Sequence, residues 1–206
     1  MSSRARIEPL AGSAWGAEGQ EPPRILIEGT MPVVNHGAVT FDRVAGQLMT
    51  VSSRVYCLND GPLAVIVRCR PVDSCEGQSF RMHTLGDRHW TAQFRLTTLG
   101  EHLFCIDAWI DRYTGFCLAL EKALQAKLPV QDLLEEGWAR VVDAIETCDG
   151  LREPDIIALY QRLLVLSKAQ QVELFLNAST LTLMREVQQR DCLTLSPEYP
   201  VYVSAQ

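Results

Sequence analysis

The stretch HLFCIDAWIDRYTGF, residues 102–116, alternates in polarity with period two and then enters a helical pattern. Such alternation is typical of a strand with one buried face. We expect the buried face to carry His102, Phe104, Ile106, Ala108 and Ile110. The opposite face, expected to meet solvent, carries Leu103, Cys105, Asp107, Trp109 and Asp111. A tryptophan between two aspartates on a wet face indicates one of three roles: a sugar site, a docking surface for another domain, or ordinary packing.

Period-two patterning extends from Arg24 to Asp111 and is interrupted by turn sequences such as NDGP, residues 59–62. Its strand-like segments are RILIE, QLMTVSSRVYC, LAVIVRCR, SFRMH and HWTAQFRL. Inward-facing positions are predicted to be Met49, Val51, Val55, Cys57, Leu63, Val65, Val67, Cys69, Trp90, Ala92, Phe94 and Leu96. Short strands with frequent turns predict an antiparallel, immunoglobulin-like β-sandwich over residues 24–112. The Cys…Trp…Cys set of antibody domains is not recognisable, so only the architecture is predicted.

The apolar period changes to that of a helix after Tyr113, which predicts a small helical bundle over residues 113–192. LALEKALQAKL predicts a first helix, and Pro129 and Pro154 mark the starts of a second and a third. The second is expected to bury Val130, Leu133, Leu134, Trp138, Val141, Val142 and Ile145. The third is expected to bury Ile156, Ile157, Tyr160, Leu163 and Leu164. Two less regular helices are predicted near 168–177 and 179–190, before an extended segment, 193–206.

Composition places the chain among ordinary globular proteins, since 47% of its 206 residues are hydrophobic and 21% are charged. A net charge of −6 argues against a general nucleic-acid binder, which needs a basic surface. The sequence has no apolar run of membrane-spanning length. Residues 1–23 lack the hydrophobic core of a signal peptide and are expected to be a disordered tail of a cytoplasmic protein.

Seven cysteines are scattered along the chain, and without a secretion signal we expect them to be reduced, small apolar fillers. A zinc site could in principle draw its four ligands from Cys69, Cys75, His83 and His89. Their spacing is wrong for a zinc knuckle, because the two members of each pair are too far apart. Neither a metal nor a cofactor is therefore expected.

Motifs of enzyme chemistry are missing from the sequence: it has no phosphate-binding glycine loop, no G-x-S-x-G and no H-E-x-x-H. Asp107 and Asp111 lie four residues apart on one strand face, a spacing that leaves glycoside hydrolysis open. Acids on an exposed strand face are far more often solvated surface groups. The histidines, His36, His83, His89 and His102, are expected to be surface or packing residues. No catalytic residue is predicted.

The order of motifs resembles the N-terminal region of the α-1,4-glucan:maltose-1-phosphate maltosyltransferases, α-amylase-like bacterial enzymes that lengthen α-glucans. RILIE with Pro32, LGDRHWTAQF, LGEHLFCIDAWIDRY and the following LEKAL carry the resemblance, and SPEYPVYV resembles the segment that leads those enzymes into their catalytic barrel. Together these motifs span about residues 24–203. The family's nucleophilic Asp and acid/base Glu belong to that barrel, which needs about 200–250 residues, so no residue of this chain inherits either role.

The resemblance implies a non-catalytic module of a glycosyltransferase. In the family this region builds much of the homodimer contact and lies against the catalytic domain, bordering the sugar cleft. We therefore expect a module that serves dimerisation and supports an α-amylase-like domain. Trp109, Asp107 and Asp111 are the candidate interdomain or sugar contact, unless Trp109 packs beneath the chain's own first helix. The alternative is a free-standing carbohydrate-binding or regulatory module that binds α-glucan.

Overall fold

The computed structural model describes residues 24–32, 40–58, 61–148 and 150–205. The predictions for the tail, for His36 and for the first half of the turn at 59–62 lie outside the described residues. Ten strands and five helices form within the described ranges. The strands are β1 Ile25–Met31, β2 Phe41–Val44, β3 Leu48–Cys57, β4 Leu63–Pro71, β5 Gln78–Arg81, β6 His83–Gly86, β7 His89–Arg95, β8 Gly100–Ile110, β9 Asp191–Leu195 and β10 Tyr199–Ser204. The helices are α1 Arg112–Gln125, α2 Gln131–Thr147, α3 Glu153–Val165, α4 Lys168–Phe175 and α5 Ala178–Val187.

The strands form two sheets that share one apolar core, a sandwich-like arrangement. One sheet has the order β1-β3-β7-β6; the other has the order β2-β10-β8-β4-β5, and β9 also pairs with β8. The prediction of purely antiparallel strands is wrong for β2 and β10, which run parallel. These two strands come from opposite ends of the described chain, so no hairpin constrains their direction. The immunoglobulin-like assignment stays a prediction.

The predicted inward faces of the strands are confirmed in the sandwich core. Ten of the predicted residues are buried there: Met49, Val51, Val55, Cys57, Val65, Val67, Cys69, Ala92, Phe94 and Leu96. Leu63 and Trp90 pack against the same core while partly buried. On β8 the whole predicted inner face is buried, His102 included. Period-two patterning therefore predicted correctly which side of β3, β4, β7 and β8 faces the sandwich core.

The C-terminal segment completes the six-stranded sheet, because β9 and β10 follow one another along β8. Between them Ser196 keeps the ladder intact: its backbone N–H donates to Ile106 O at 2.8 Å, and its Oγ accepts from Ile106 N at 2.9 Å. Val201 and Val203 of β10 are fully buried in the sandwich core. The segment predicted as extended thus lies inside the sheet, and the domain boundaries drawn from sequence stay a prediction.

The five helices enclose a second apolar core, whose members include Phe116, Leu134 and Phe175. Helix α2 lies closely against α1 and α4 at Gly137. An added Cβ there would lie 2.8 Å from ring carbons of both Phe116 of α1 and Phe175 of α4. Helix α1 begins at Arg112, earlier than predicted, because the Asp111 side chain caps it. In the described ranges, no helix is both long and apolar enough to cross a membrane.

The predicted apolar stripe of α3 is only half covered. Ile156 and Leu163 are buried, whereas Ile157 and Leu164 are exposed, and the prediction that these two pack inward is wrong. Leu159 is buried instead, and the prediction that Val142 of α2 is buried is also wrong, because Val142 is exposed. The stripe read from the sequence was wider than the arc that the other helices cover, and periodicity alone does not give that arc. The description as a helical bundle stays a prediction.

Candidate functional site

The outer face of β8 is buried, so the prediction that it meets solvent is wrong. Asp107 is 2% exposed, Trp109 4% and Asp111 1%, and Cys105 is also buried. These side chains lie on the face that points away from the sandwich core. Side chains from β4, β5, α5 and the segment before β9 cover them. Alternation along one strand reports which residues share a face and says nothing of what other segments place over it.

Trp109 is covered by the chain itself. Its indole forms a small buried cluster with Ala64 and Ile66 of the neighbouring strand β4. The guanidinium of Arg190, just before β9, lies 4.5 Å from the ring centroid, a cation–π distance. The cover therefore includes Arg190, whereas the packing alternative left open by the sequence was helix α1. The indole Nε1 is buried and makes no hydrogen bond to the described residues.

Asp107 is held by a fork of hydrogen bonds from Arg68. Arg68 Nε donates to Asp107 Oδ2 at 2.7 Å, and Nη2 donates to Oδ1 at 3.3 Å. Arg190 Nη1 lies farther away, 3.9 Å from Oδ2. The hydrogen bond from Arg68 to Asp107 raises the pKa of the guanidinium above its ordinary value. Bidentate geometry is the strong form of this pairing and compensates the buried carboxylate.

Asp111 joins the sandwich to the helices. Its Oδ1 accepts from the Thr114 backbone N–H at 3.0 Å and from Gln188 Nε2 at 2.9 Å. Its Oδ2 accepts from Thr114 Oγ1 at 2.7 Å. Two guanidiniums approach Oδ2, Arg185 Nε at 3.3 Å and Arg81 Nη2 at 3.5 Å. One carboxylate thus contacts the start of α1, the end of α5 and the end of β5.

The electrostatics around Asp111 favour its charged form. Burial would raise the pKa of this carboxyl, but hydrogen bonds from Gln188 and Thr114 and the charge of Arg185 outweigh burial and hold the pKa below its ordinary value. Burial and repulsion by Arg185 lower the pKa of the Arg81 guanidinium. Two guanidiniums therefore share a carboxylate that neutralises only one of them.

This geometry does not form the carboxylate pair of a glycosidase. Each carboxylate has its own set of donors: Arg68 donates to Asp107, and Thr114 and Gln188 donate to Asp111. A general acid also needs a raised pKa, and that of Asp111 is lowered. Both carboxylates accept from side chains that hold the fold together. What the arrangement can do is fix elements in place and present positive charge.

Four arginines of this face were missed by sequence reasoning: Arg68, Arg81, Arg185 and Arg190. They stand far along the chain from Asp107 and Asp111, so no local spacing indicated the contacts. The position of Arg68 could have indicated an ion pair, since Arg68 occupies an outward position on β4, directly beside β8, the central strand of the sheet. Which carboxylate it would meet depended on the register of β4 against β8.

Other candidate groups are dispersed. In the part of the chain that the structure describes, no cluster of three or more His, Cys, Asp or Glu side chains is placed to hold a metal ion. His102 is buried, with Nδ1 3.1 Å from Gly100 O, while His83 and His89 are exposed. A cleft of about 380 Å³ between α2 and the start of β9 is lined by groups of both signs, including Arg112, Arg140, Asp143, Glu146 and Asp191. Arg112 and Asp191 pair with each other there.

Comparison with known proteins confirms the resemblance read from the motifs. The family described as alpha-1,4-glucan:maltose-1-phosphate maltosyltransferase, domain N/S, matches residues 23–205. An enzyme of that name from Pseudomonas aeruginosa is 31% identical over 188 residues, 89% of this chain and 28% of the relative. The same enzyme from Myxococcus xanthus is 27% identical over 135 residues, 64% of this chain and 20% of the relative. That from Burkholderia pseudomallei is 30% identical over 122 residues, 59% of this chain and 11% of the relative.

The match concerns one part of those enzymes, since the chain spans between 11% and 28% of the length of these three relatives. The family model, by contrast, covers nearly the whole chain. The two sheets and five helices described above are thus the structure of the matched region. The protein belongs to the family of the N/S domain of alpha-1,4-glucan:maltose-1-phosphate maltosyltransferases.

Proposed function

We propose that this chain is a non-catalytic N-terminal module of a maltosyltransferase that extends α-1,4-glucans from maltose 1-phosphate. In this role it supports a catalytic, α-amylase-like domain and contributes to a homodimer in the cytoplasm. The observation that carries the proposal is the match to domain N/S by a chain that spans at most 28% of the relatives compared. The finer fold assignment, an immunoglobulin-like sandwich followed by a helical bundle, belongs to the same proposal.

The charged groups on the outer face of β8 support the non-catalytic role. Asp107 and Asp111 were the paired carboxylates that spacing had left open for glycoside chemistry. Each is buried and accepts hydrogen bonds from its own chain. A nucleophile or general acid must reach a substrate, and these two carboxylates face arginine side chains instead.

An exposed apolar patch on α3 supports a role in docking. Ile157 and Leu164, seven residues apart, lie on the same face of the helix, and Val165 adjoins them. Leu164 is 61% exposed and Val165 82%. Exposed apolar side chains grouped on one face of a helix are typical of a surface that a partner covers. We assign this α3 patch, defined by these three residues, to the contact with a second copy of the chain.

The carbohydrate-binding alternative depended on Trp109 as a platform for sugar stacking. Its ring is 4% exposed, and Arg190 already lies over it. Stacking on a sugar needs an accessible aromatic face. The buried indole therefore favours the docking module over the sugar-binding module, and titration with a malto-oligosaccharide tests the choice directly.

Two assays test the proposal. Purified chain mixed with maltose 1-phosphate and a malto-oligosaccharide should release no phosphate, and turnover that survives repurification would contradict the non-catalytic role. In sedimentation experiments the chain should self-associate, and Leu164→Glu with Val165→Glu should weaken that association at least about tenfold, or 1.4 kcal/mol. Leu85→Glu, at an exposed leucine of β6, is the matched control. Wild-type protein that stays monomeric would contradict the dimer.

A further inference from the structure

The outer face of β8 carries more positive charge than its carboxylates neutralise. Among the residues that the structure describes, four guanidiniums, those of Arg68, Arg81, Arg185 and Arg190, pair with two carboxylates. We call these four residues the arginine face. The surplus of two positive charges occurs on a chain whose net charge is −6. We infer that the arginine face is a docking surface for an acidic segment of a protein partner.

Strand pairing gives the arginine face an apolar floor. Across the sheet Arg81 of β5 pairs with Ile66 of β4, and Ala64 of β4 pairs with Trp109 of β8. Ala64, Ile66 and Trp109 are the buried cluster beneath the charges. Arg81 reaches over this floor from the β5 side to Asp111, and Arg190 reaches over it from the β9 side to the indole. Because this cluster is buried, it supports the arginines from beneath, and a partner meets the guanidiniums and not the indole.

Two of the four guanidiniums keep N–H groups for a partner. Arg68 makes a bidentate pair with Asp107, and Arg185 donates to Thr114 Oγ1 from both Nε and Nη2. The ion pairs of Arg81 and Arg190 are longer, 3.5 and 3.9 Å, and the other contact described for Arg190 is with the face of the Trp109 ring, which leaves its N–H groups available. Their side chains are 47% and 48% exposed. A guanidinium has five N–H donors, so both can still form a bidentate contact to a carboxylate.

The spacing of the charges selects an extended segment over a small anion. Arg190 lies beside Asp107 and Arg81 beside Asp111, and residues four apart in extended backbone have Cα atoms about 13 Å apart. One phosphate or carboxylate cannot bridge that distance. An extended acidic peptide repeats side chains on one face every two residues, about 6.6 Å, so its residues i and i+4 meet both groups. The inference rests on the proposed function only for the identity of the natural partner, an acidic surface of the catalytic domain.

The experiment measures binding of a fluorescein-labelled dodecapeptide of alternating Glu and Thr by fluorescence anisotropy. We expect wild-type chain to bind it at low salt and to lose it in 1 M NaCl, where the Debye length falls to about 3 Å. Arg81→Gln with Arg190→Gln should raise the Kd at least about tenfold. The matched control, Arg24→Gln with Arg54→Gln, removes the same charge from exposed positions elsewhere and should leave the Kd within about twofold.

Three results would overturn the inference. Wild type does not bind the peptide, or both double variants lose the same amount of affinity for it. The third is that pyrophosphate displaces the labelled peptide as well as unlabelled peptide does at the same concentration of negative charge. The last would identify a small-anion site. If Arg81→Gln with Arg190→Gln does not fold, the Nε–Hε NMR signals of Arg81 and Arg190 in wild type decide. They should shift with the Glu-Thr peptide and not with its Gln-Thr analogue, and unchanged signals refute docking. These measurements use this chain alone. Peptide binding can therefore fail while the chain still dimerises and shows no catalytic activity, and the chain can fail to dimerise while it still binds the peptide.

Discussion

Two substitutions of Asp111, by Ala and by Asn, distinguish how much its capping of α1 and how much its negative charge contribute to stability. Asp111→Ala removes the cap, worth about 1 kcal/mol, and the charge-assisted hydrogen bond from Gln188, worth about 1.5–3 kcal/mol. It also leaves Arg185 without its buried partner. We expect a loss of about 3–5 kcal/mol in the free energy of unfolding, the usual cost of breaking a buried pair. Arg185 can turn partly to water, which favours the lower end.

Asp111→Asn is the informative comparison. An Asn oxygen in place of Oδ1 still accepts from the Thr114 backbone and from Gln188, and Asn caps helices as well as Asp does. What it loses is the charge facing Arg81 and Arg185. The loss should therefore be about 1.5–3 kcal/mol, smaller than for Ala. Urea unfolding followed by circular dichroism measures both, with exposed Asp42→Asn as a control within about 0.5 kcal/mol.

The pH dependence gives a second test of the same contact. Because the folded pKa of Asp111 is lowered, its stabilisation is present above the unfolded value of about 3.9 and is lost as the pH falls through the folded pKa. The stabilities of wild type and Asp111→Asn should therefore begin to converge as the pH falls below about 4 and become equal only below the folded pKa. Equal losses for the Asn and Ala variants at neutral pH would refute the separate charge contribution. A loss below about 1 kcal/mol for Ala would refute the role of Asp111 as a junction.

The remaining predictions concern packing and thiols. Trp109→Ala should cost about 3–5 kcal/mol of unfolding free energy, as for a buried aromatic; a loss below about 1 kcal/mol in thermal or urea melts would show that its cover contributes little. Gly137→Ala should destabilise by about 1–3 kcal/mol, because the clash with two core phenylalanines exceeds the gain in helix propensity of about 1 kcal/mol; a more stable variant contradicts this. Melting temperatures should be nearly equal with and without reductant, and a large drop under reductant would indicate structural disulfides. In native protein Ellman's reagent should label exposed Cys75 and Cys192 first, because burial raises the pKa of Cys69 to about 12, and rapid labelling of Cys69 would contradict its burial.

Local patterns in the sequence were enough to predict the inner faces of the strands and the family. Period-two alternation placed Val51, Val65, Phe94 and Ile106 in the core correctly, since side chains on a strand can point only to one face or the other. The change of period after Tyr113 indicated that helices follow β8, although α1 begins slightly earlier, at Arg112. The order of short motifs was equally local information. It identified the family that the comparison then confirmed over residues 23–205.

What covers the outer face of β8 was decided by the tertiary structure. Asp107 and Asp111 looked like solvated acids because their partners, Arg68 and Arg185, are far away in the sequence. The exposed part of α3 likewise depended on how wide an arc the other helices cover. Periodicity reports only the direction in which a side chain leaves its own backbone. The segment that meets it there is fixed by strand register and helix packing, which bring together residues that no local pattern connects.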